Sequence, residues 1–589
     1  MFFQRFIKVV SLYRKRYYIM TDKDSLLRYI SVTLAVLMSL VFFGCFYSNH
    51  LSIREELQLF LFTPEYFVSY LDKPSWLSLY SSGFVTQFFV SGFCGAFLLT
   101  LLFFVEWKIA AKIVRKVVDI PNVEFYVFFL LASEVIRYSS LQFSLDLTFS
   151  IIYSLAVALI AMSIRDIGLR SLFSCIAMPV LYYLTGLGVF VFTITVVVVD
   201  FVRGKLNWPV CLFFLIFVSV LKFVFGELFD GFVFYDWLPV LTWLAVLAVL
   251  LLIPRYKPYI GMREPLTVYF LFFVYTVVGV SVRADFRTEN ILEADRAVQN
   301  KDWEKVQECY DDAGTDKTVL NYFRNIALLN NETTPDSLLN MKINPKSFFF
   351  KNVESEPLYN IFSNEIYWQL GDYNMAELGE MRSLSDFKDN GSVRIIRRLA
   401  EISFATSDTV LFEKYTSILS RTIVYRGWAE DLKKDFYSKV DTIKLHNKTD
   451  LSSTVSSFRN MDDGLSSIKS LLKYDSNNKK AFDCLAYSFL YNRNLTELSY
   501  ICKKYGKTFY GETLPEIYTE AIALNDYLDN YNNRQSYGRK KKKDSRYNNI
   551  LRFMELYKGK NADAELLCKE FSNSYLGYYF DIDSIQVTR

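Results

Sequence analysis

Before Arg283 the chain is a succession of apolar runs long enough to cross a bilayer, separated by short blocks of basic residues; after it the runs shorten and fall into helical spacing between polar turns. A spanning helix needs about 20 mostly apolar residues, because no water is available in the hydrocarbon to satisfy a broken backbone hydrogen bond. That change of pattern predicts an all-α protein of two parts. Residues 1–283 read as a polytopic transmembrane helix bundle of about nine spans, and residues 284–589 as a soluble helical tail. The composition agrees, since 52% hydrophobic residues are too many for one soluble protein while 22% charged residues are too many for a membrane protein alone.

The spans read from the pattern are 29–47, 84–105, 121–136, 146–164, 172–185, 188–202, 209–225, 238–253 and 266–283. Residues 172–202 can be read as one long span or as two short ones broken at Thr185-Gly186-Leu187-Gly188. Charge favours the break. With it, the N-terminal cluster (Arg5, Lys8, Arg14, Lys15, Arg16), Lys108 with Lys112, Arg115 and Lys116, Arg165 with Arg170, Arg203 with Lys205, and Arg255 with Lys257 and Arg263 all share one side. Lys and Arg in short loops mark the cytoplasmic face. The expectation is therefore a multi-pass inner or plasma membrane protein with its N-terminus in the cytoplasm and its tail outside. No cleavable leader is evident ahead of the first run, which reads as a retained anchor.

In the tail several segments share one form: a helix, a turn of small or polar residues, and a second helix. The turns are Asn300-Lys301-Asp302, Gly371-Asp372-Tyr373, Thr406-Ser407-Asp408, Asn492-Arg493-Asn494 and Gly559-Lys560-Asn561. Asp372 and Asp408 stand about 36 positions apart, close to the period of about 34 found in tetratricopeptide-type helix pairs, although no unit carries the full tetratricopeptide consensus. Such pairs cannot bury their apolar faces alone and stack into a curved solenoid with a concave binding surface; an irregular helical bundle is the alternative. The basic stretch Arg539 to Lys543 reads as a solvated loop before it reads as a polyanion contact, and an external tail rarely meets nucleic acid.

Few residues carry recognisable chemistry. Eight cysteines without a C-x-x-C pair and two histidines, His50 and His446, give no metal site. The cysteines read as buried thiols, with Cys484 and Cys502 the one pair that could bridge a helix pair. The phosphate-binding, dinucleotide, zinc-protease and serine-hydrolase signatures are absent, and no cofactor is implied.

Ionisable residues do collect on the expected outer side. Glu55, Glu65 and Asp72 are candidate catalytic carboxylates, and Arg137 and Lys222 are candidate cations for a lipid-linked phosphate. That set suits sugar transfer from a lipid-phosphate carrier, with a carboxylate as general base and a cation holding the leaving phosphate. Ordinary snorkelling and pairing, such as Glu134 with Arg137 one turn on, explains the same residues. The stretch from Glu56 to Tyr70, rich in Leu, Phe and Tyr, suits an interfacial helix on the outer leaflet, interrupted at Pro64.

The stretches EELQLF at Glu55 to Phe60, EYFVSYLDKPSWLSLYSSGFVTQFF at Glu65 to Phe89, EKYTSILSRTIVYRGWAEDLKK at Glu413 to Lys434 and the closing FSNSYLGYYF resemble an uncharacterised family of bacterial multi-spanning membrane proteins with tetratricopeptide-like tails. The resemblance implies the same two-part architecture and adds no catalytic residue. One departure is Ser75-Trp76, where two glycines are expected after the loop proline. The layout is also distantly similar to polytopic glycosyltransferases that use lipid-linked donors, a likeness at the level of fold only. Two functions follow as expectations: a membrane-anchored scaffold whose tail binds envelope proteins, or a lipid-linked glycosyltransferase-like enzyme. A transporter is less attractive, since the runs show few buried charges and no paired halves.

Overall fold

The computed structural model describes residues 29–117, 123–203, 207–225, 237–256, 263–314, 317–331, 334–340, 357–387, 391–443, 464–532, 545–557 and 564–582. Every regular element among them is helical, and none is a strand. The chain divides into two compact units. The first comprises Met1–Glu289 together with two later stretches, Asp389–Arg394 and Thr416–Leu432; the second holds the remainder of the tail.

The first unit contains α1 (Tyr29–Phe46), α2 (Ser48–Glu56), α3 (Pro64–Leu71), α4 (Trp76–Thr86), α5 (Gly92–Val117), α6 (Phe128–Tyr138), α7 (Asp146–Ala161), α8 (Ile167–Thr185), α9 (Gly188–Val202), α10 (Trp208–Phe225), α11 (Leu238–Tyr256) and α12 (Arg263–Arg283). Four of these, α1, α5, α8 and Leu266–Arg283 of α12, are long and apolar enough to cross a membrane; α7, α9, α10 and α11 include shorter apolar helices. The protein is thus a multi-pass membrane protein by the length and composition of its helices. Its outward-facing apolar residues agree, since Leu212, Leu215, Ile216 and Val220 on α10 and Phe270, Leu271, Val277 and Val278 on α12 are exposed. Exposed apolar stripes of that extent are rare on a soluble monomer.

The interior of this unit is built on α6 and α7. Residues Leu130 to Tyr138 of α6 are all buried, enclosed by α5, α11 and α12, and α7 is enclosed by α4, α5, α8 and α9. Between α8 and α9 the chain turns at Gly186, whose φ of 59° with ψ of −119° is a backbone conformation that favours glycine; an added Cβ there would also collide with Ser75. Ser75 itself adopts a left-handed φ of 70° and donates its backbone N–H to the carbonyl of Tyr183. The position where the resemblance led us to expect glycine is therefore one that demands glycine-like backbone, and serine bears the strain. The antiparallel hairpin brings Arg170 of α8 to Asp200 of α9 at 2.7 Å, with Asn207 donating to Asp200 and Ser171 donating to Asn207.

Two details differ from the pattern reading. The run 84–105 is not one helix: α4 ends at Thr86, and α5 begins at Gly92 and continues through the basic block to Val117. A helix can carry that block because its long side chains reach outward from an otherwise apolar stem. Pro64 does not interrupt an interfacial helix; it starts α3, preceded by Thr63 whose hydroxyl accepts from Tyr66 N.

The second unit contains α13 (Phe286–Gln299) from Asn290 on, α14 (Trp303–Asp312), α15 (Thr318–Asn330), α16 (Pro357–Gln369), α17 (Tyr373–Leu384), most of α18 (Val393–Thr406) and α19 (Thr409–Ser420), part of α20 (Arg426–Ile443), then α21 (Gly464–Tyr474), α22 (Lys479–Tyr491), α23 (Leu495–Tyr510), α24 (Glu516–Asn532), α25 (Ser545–Leu556), α26 (Ala564–Phe571) and α27 (Tyr575–Phe580). Four of its helix pairs, α13/α14, α16/α17, α18/α19 and α22/α23, are joined by one repeated device. Lys301, Gly371, Ser407 and Arg493 each take a left-handed φ of 57–71°. The next residue, Asp302, Asp372, Asp408 or Asn494, donates its N–H to a carbonyl five positions back, at 2.8–3.0 Å. Its side chain also accepts from the N–H three positions on, capping the second helix. One residue thus closes one helix in a Schellman motif and opens the next as an N-cap. The fifth turn of this pattern, at Gly559 to Asn561, lies outside the described residues.

The pairs do not form a strictly linear stack. Helix α22 packs on α15, Tyr491 donates to the carbonyl of Leu338, and Asn478 donates to the carbonyl of Leu370, contacts that span more than a hundred positions. A simple solenoid requires contacts between neighbours only.

Candidate functional site

Helix α2 opens at Ser48, and its first amides are met by a carboxylate from far along the chain. Asn49 N and His50 N donate to Glu289 at 2.8 and 3.0 Å, Asn49 Nδ2 adds a third bond, and His50 Nδ1 lies 2.5 Å from the same carboxylate. A negative group at a helix N-terminus is stabilising. Burial holds the His50 imidazole below its ordinary value, and the Glu289 bond opposes that only in part. Arg54, in the last turn of α2, donates to the carbonyls of Tyr138, Ser140 and Phe143 and lies over the Tyr138 ring, so it closes the C-terminus of α6.

At the end of α2 stands Glu55, 2% exposed, accepting a hydrogen bond of 2.8 Å from Tyr425 Oη. Gln58, Phe60, Gln87, Val393, Thr422 and Val424 complete the surroundings of a cavity of about 10 Å³, room for about one water molecule. Two stretches from the tail half of the sequence build this wall. Val393 N donates to the carbonyl of Gln58, Ser392 Oγ to that of Glu56, and Phe62 N to that of Arg421, while Arg394 pairs with Glu56 at 3.3 Å. The remaining candidates lie elsewhere: Glu65 and Asp72 are exposed, and the side chain of Lys222 is outside the described residues.

Arg137 is 1% exposed and sits in the interior of the unit. Its Nη2 donates to Thr148 Oγ1 at 2.8 Å and to the carbonyl of Ser144 at 3.1 Å, and lies 3.4 Å from Glu134 Oε2. Thr148 in turn donates to that Glu134 oxygen at 2.9 Å. Glu106, on α5, completes the group, because its carboxylate interacts electrostatically with both Glu134 and Arg137. It escaped the sequence reading, which ended the span at residue 105. Its register was the available sign: Ala96, Leu99, Phe103, Glu106, Ala110 and Ile113 follow alternating steps of three and four, an apolar helix stripe with one carboxylate inside it.

Among the described residues no three His, Cys, Asp or Glu side chains converge as metal ligands. Cys484 and Cys502 are buried free thiols and do not bridge, while Cys45 and Cys94 are exposed rather than buried.

Over residues 25–582 the chain matches the family described as a family of unknown function, DUF6057. It belongs to that family. The match runs through the apolar helices and the paired helices of the tail alike, so the family carries both parts in one chain. No curated protein and no solved structure shows a significant match to this DUF6057 member.

Proposed function

We propose that this protein is a nine-span membrane scaffold, its N-terminus cytoplasmic and its paired-helix tail outside the membrane, where the tail binds proteins of the cell envelope. The repeated turn device carries the reading. A chain that reuses one helix-to-helix connection four times is built for stacking pairs, and stacked pairs expose extended surfaces suited to partner recognition. The break at Gly186 supports the ninth span and with it the outward exit of the chain, because the basic loops then fall on one side.

The lipid-linked glycosyltransferase reading has less support. Of its three carboxylates, Glu65 and Asp72 are exposed, while Glu55 is committed to Tyr425 beside a cavity of about 10 Å³, far below the several hundred Å³ of a ligand pocket.

A reporter fused after Arg589 tests orientation: activity of a cytoplasm-only reporter defeats the outward tail. Cross-linking in intact cells tests the scaffold. Wild-type protein is expected to yield defined adducts that Val410→Asp, at an exposed apolar position of α19, reduces; intact adducts in that and similar tail-surface variants count against it. Glu55→Gln, Glu65→Gln and Asp72→Asn variants are expected to leave envelope glycans unchanged, and loss of a glycan in any of them restores the enzyme reading.

A further inference from the structure

The group formed by Glu106, Glu134 and Arg137 lies within helices that the membrane reading places in the bilayer, where an ionisable side chain is costly enough to demand an account. Glu106 is 1% exposed, and neither of its carboxylate oxygens has a hydrogen-bond partner. Glu134 bonds Thr148 and Arg137 through Oε2 only, leaving Oε1 buried without one. Among the described residues, Arg137 is the cation that acts on Glu106. Helix α6 brings Glu134 and Arg137; α7 brings Thr148, with Asp146 bonded to Ser144; α2 brings Arg54, which serves the α6 carbonyls; and the turn Val123–Val127 brings Glu124, paired with Arg115. Two carboxyl groups therefore face one guanidinium. Within this group of three one negative charge is left over, together with three buried carboxylate oxygens that lack a hydrogen-bond partner.

A small cation balances that account, and a proton does so with least demand on space. It also supplies an O–H where the two carboxyl groups have only acceptors to offer each other. We propose that Glu106 and Glu134 form an intramembrane binding site for one exchangeable proton, with Arg137 fixed by Thr148 and Ser144 as the permanent countercharge. Loading leaves the group neutral. Release leaves an anion that only entry of water between α5 and α6 can solvate, so occupancy of the site is coupled to the packing of these two helices. The inference stands whether or not the tail acts as a scaffold.

The test is infrared titration of the full chain in lipid nanodiscs. A carbonyl stretch of a protonated carboxyl group that shifts in D2O and disappears on alkalinisation is expected in the wild type. It should be lost in Glu106→Gln and in Glu134→Gln, because either amide keeps the shape of its carboxyl and leaves a single carboxylate to balance Arg137. Absence of such a band from the wild type at every pH overturns the proposal, whatever the variants do. A band unchanged in either variant overturns it as well. Thermal melting in sodium against choline separates a proton from a metal cation: equal melting in the two salts is expected, and stabilisation by sodium that Glu106→Gln abolishes assigns the charge to the metal ion and defeats the proton.

Discussion

The two units treat charge in opposite ways. In the paired helices of the tail, charged and polar groups are committed close to home: Asp302, Asp372, Asp408 and Asn494 each cap the helix they begin, and Arg398 meets Glu365 at 2.7 Å while stacking on Trp368. In the first unit Glu106, Glu134 and Arg137 are buried together, and the bonding of the two carboxylates is incomplete. Glu106 and Glu134 keep acceptors unfilled in a bundle whose surroundings are apolar. Local capping defines where helices stop. Interior charge does not help a bundle fold, because removing ions from water costs more than imperfect pairing returns. Its retention there points to use.

The sharpest way to break this contrast is Arg137→Ala. Leaving Glu134 without its guanidinium in the interior is expected to cost about 3–5 kcal/mol, read as a loss of midpoint in denaturant or thermal unfolding in detergent. Replacing Glu134 and Arg137 together by Met should recover most of that loss. A single substitution without effect would mean that the interior tolerates the charge, as water access would allow.

Next in size is Tyr425→Phe, which deprives the buried Glu55 of its hydroxyl donor. A cost of about 1–3 kcal/mol is expected, with faster amide exchange confined to the α2 end and Thr416–Leu432. Unaltered exchange there would show that the Glu55 bond contributes nothing to holding this stretch. In the second unit, Asp372→Ala should cost about 1 kcal/mol by removing a cap, and Asn494→Ala a similar amount. Smallest, and opposite in sign, are Lys301→Gly and Arg493→Gly, which relieve left-handed backbone at an expected gain of about 0.5–1 kcal/mol each. Destabilisation by these glycines would show that the side chains matter more than the backbone they strain.

Much of this architecture was legible because it rests on local rules. Apolar periodicity marked the helices from α7 to α12 to within five residues, whereas α6 begins at Phe128, seven positions after the expected start, and the Asp and Asn turns marked four helix pairs. The boundary between α4 and α5 was not legible, since apolar content continues across the break at residues 87–91 and the basic block masks the length of α5. The site was harder still. Arg137 and Glu134 were visible as a pair one turn apart, but Glu106 meets them only through the packing of α5 on α6. Tyr425 reaches Glu55 across 370 positions of sequence, and no pattern within a window of that sequence foretells it.

That separation also sets an order of events during synthesis. The amides that open α2 wait for Glu289, which is made only after the last apolar helix, and Glu55 waits longer for Tyr425. At about 5–20 residues per second on the ribosome, the second delay is roughly 20–75 s. Through that interval the first loop lacks partners that finish its structure, which makes it the part of the nascent chain with most to gain from a chaperone or insertase at the membrane.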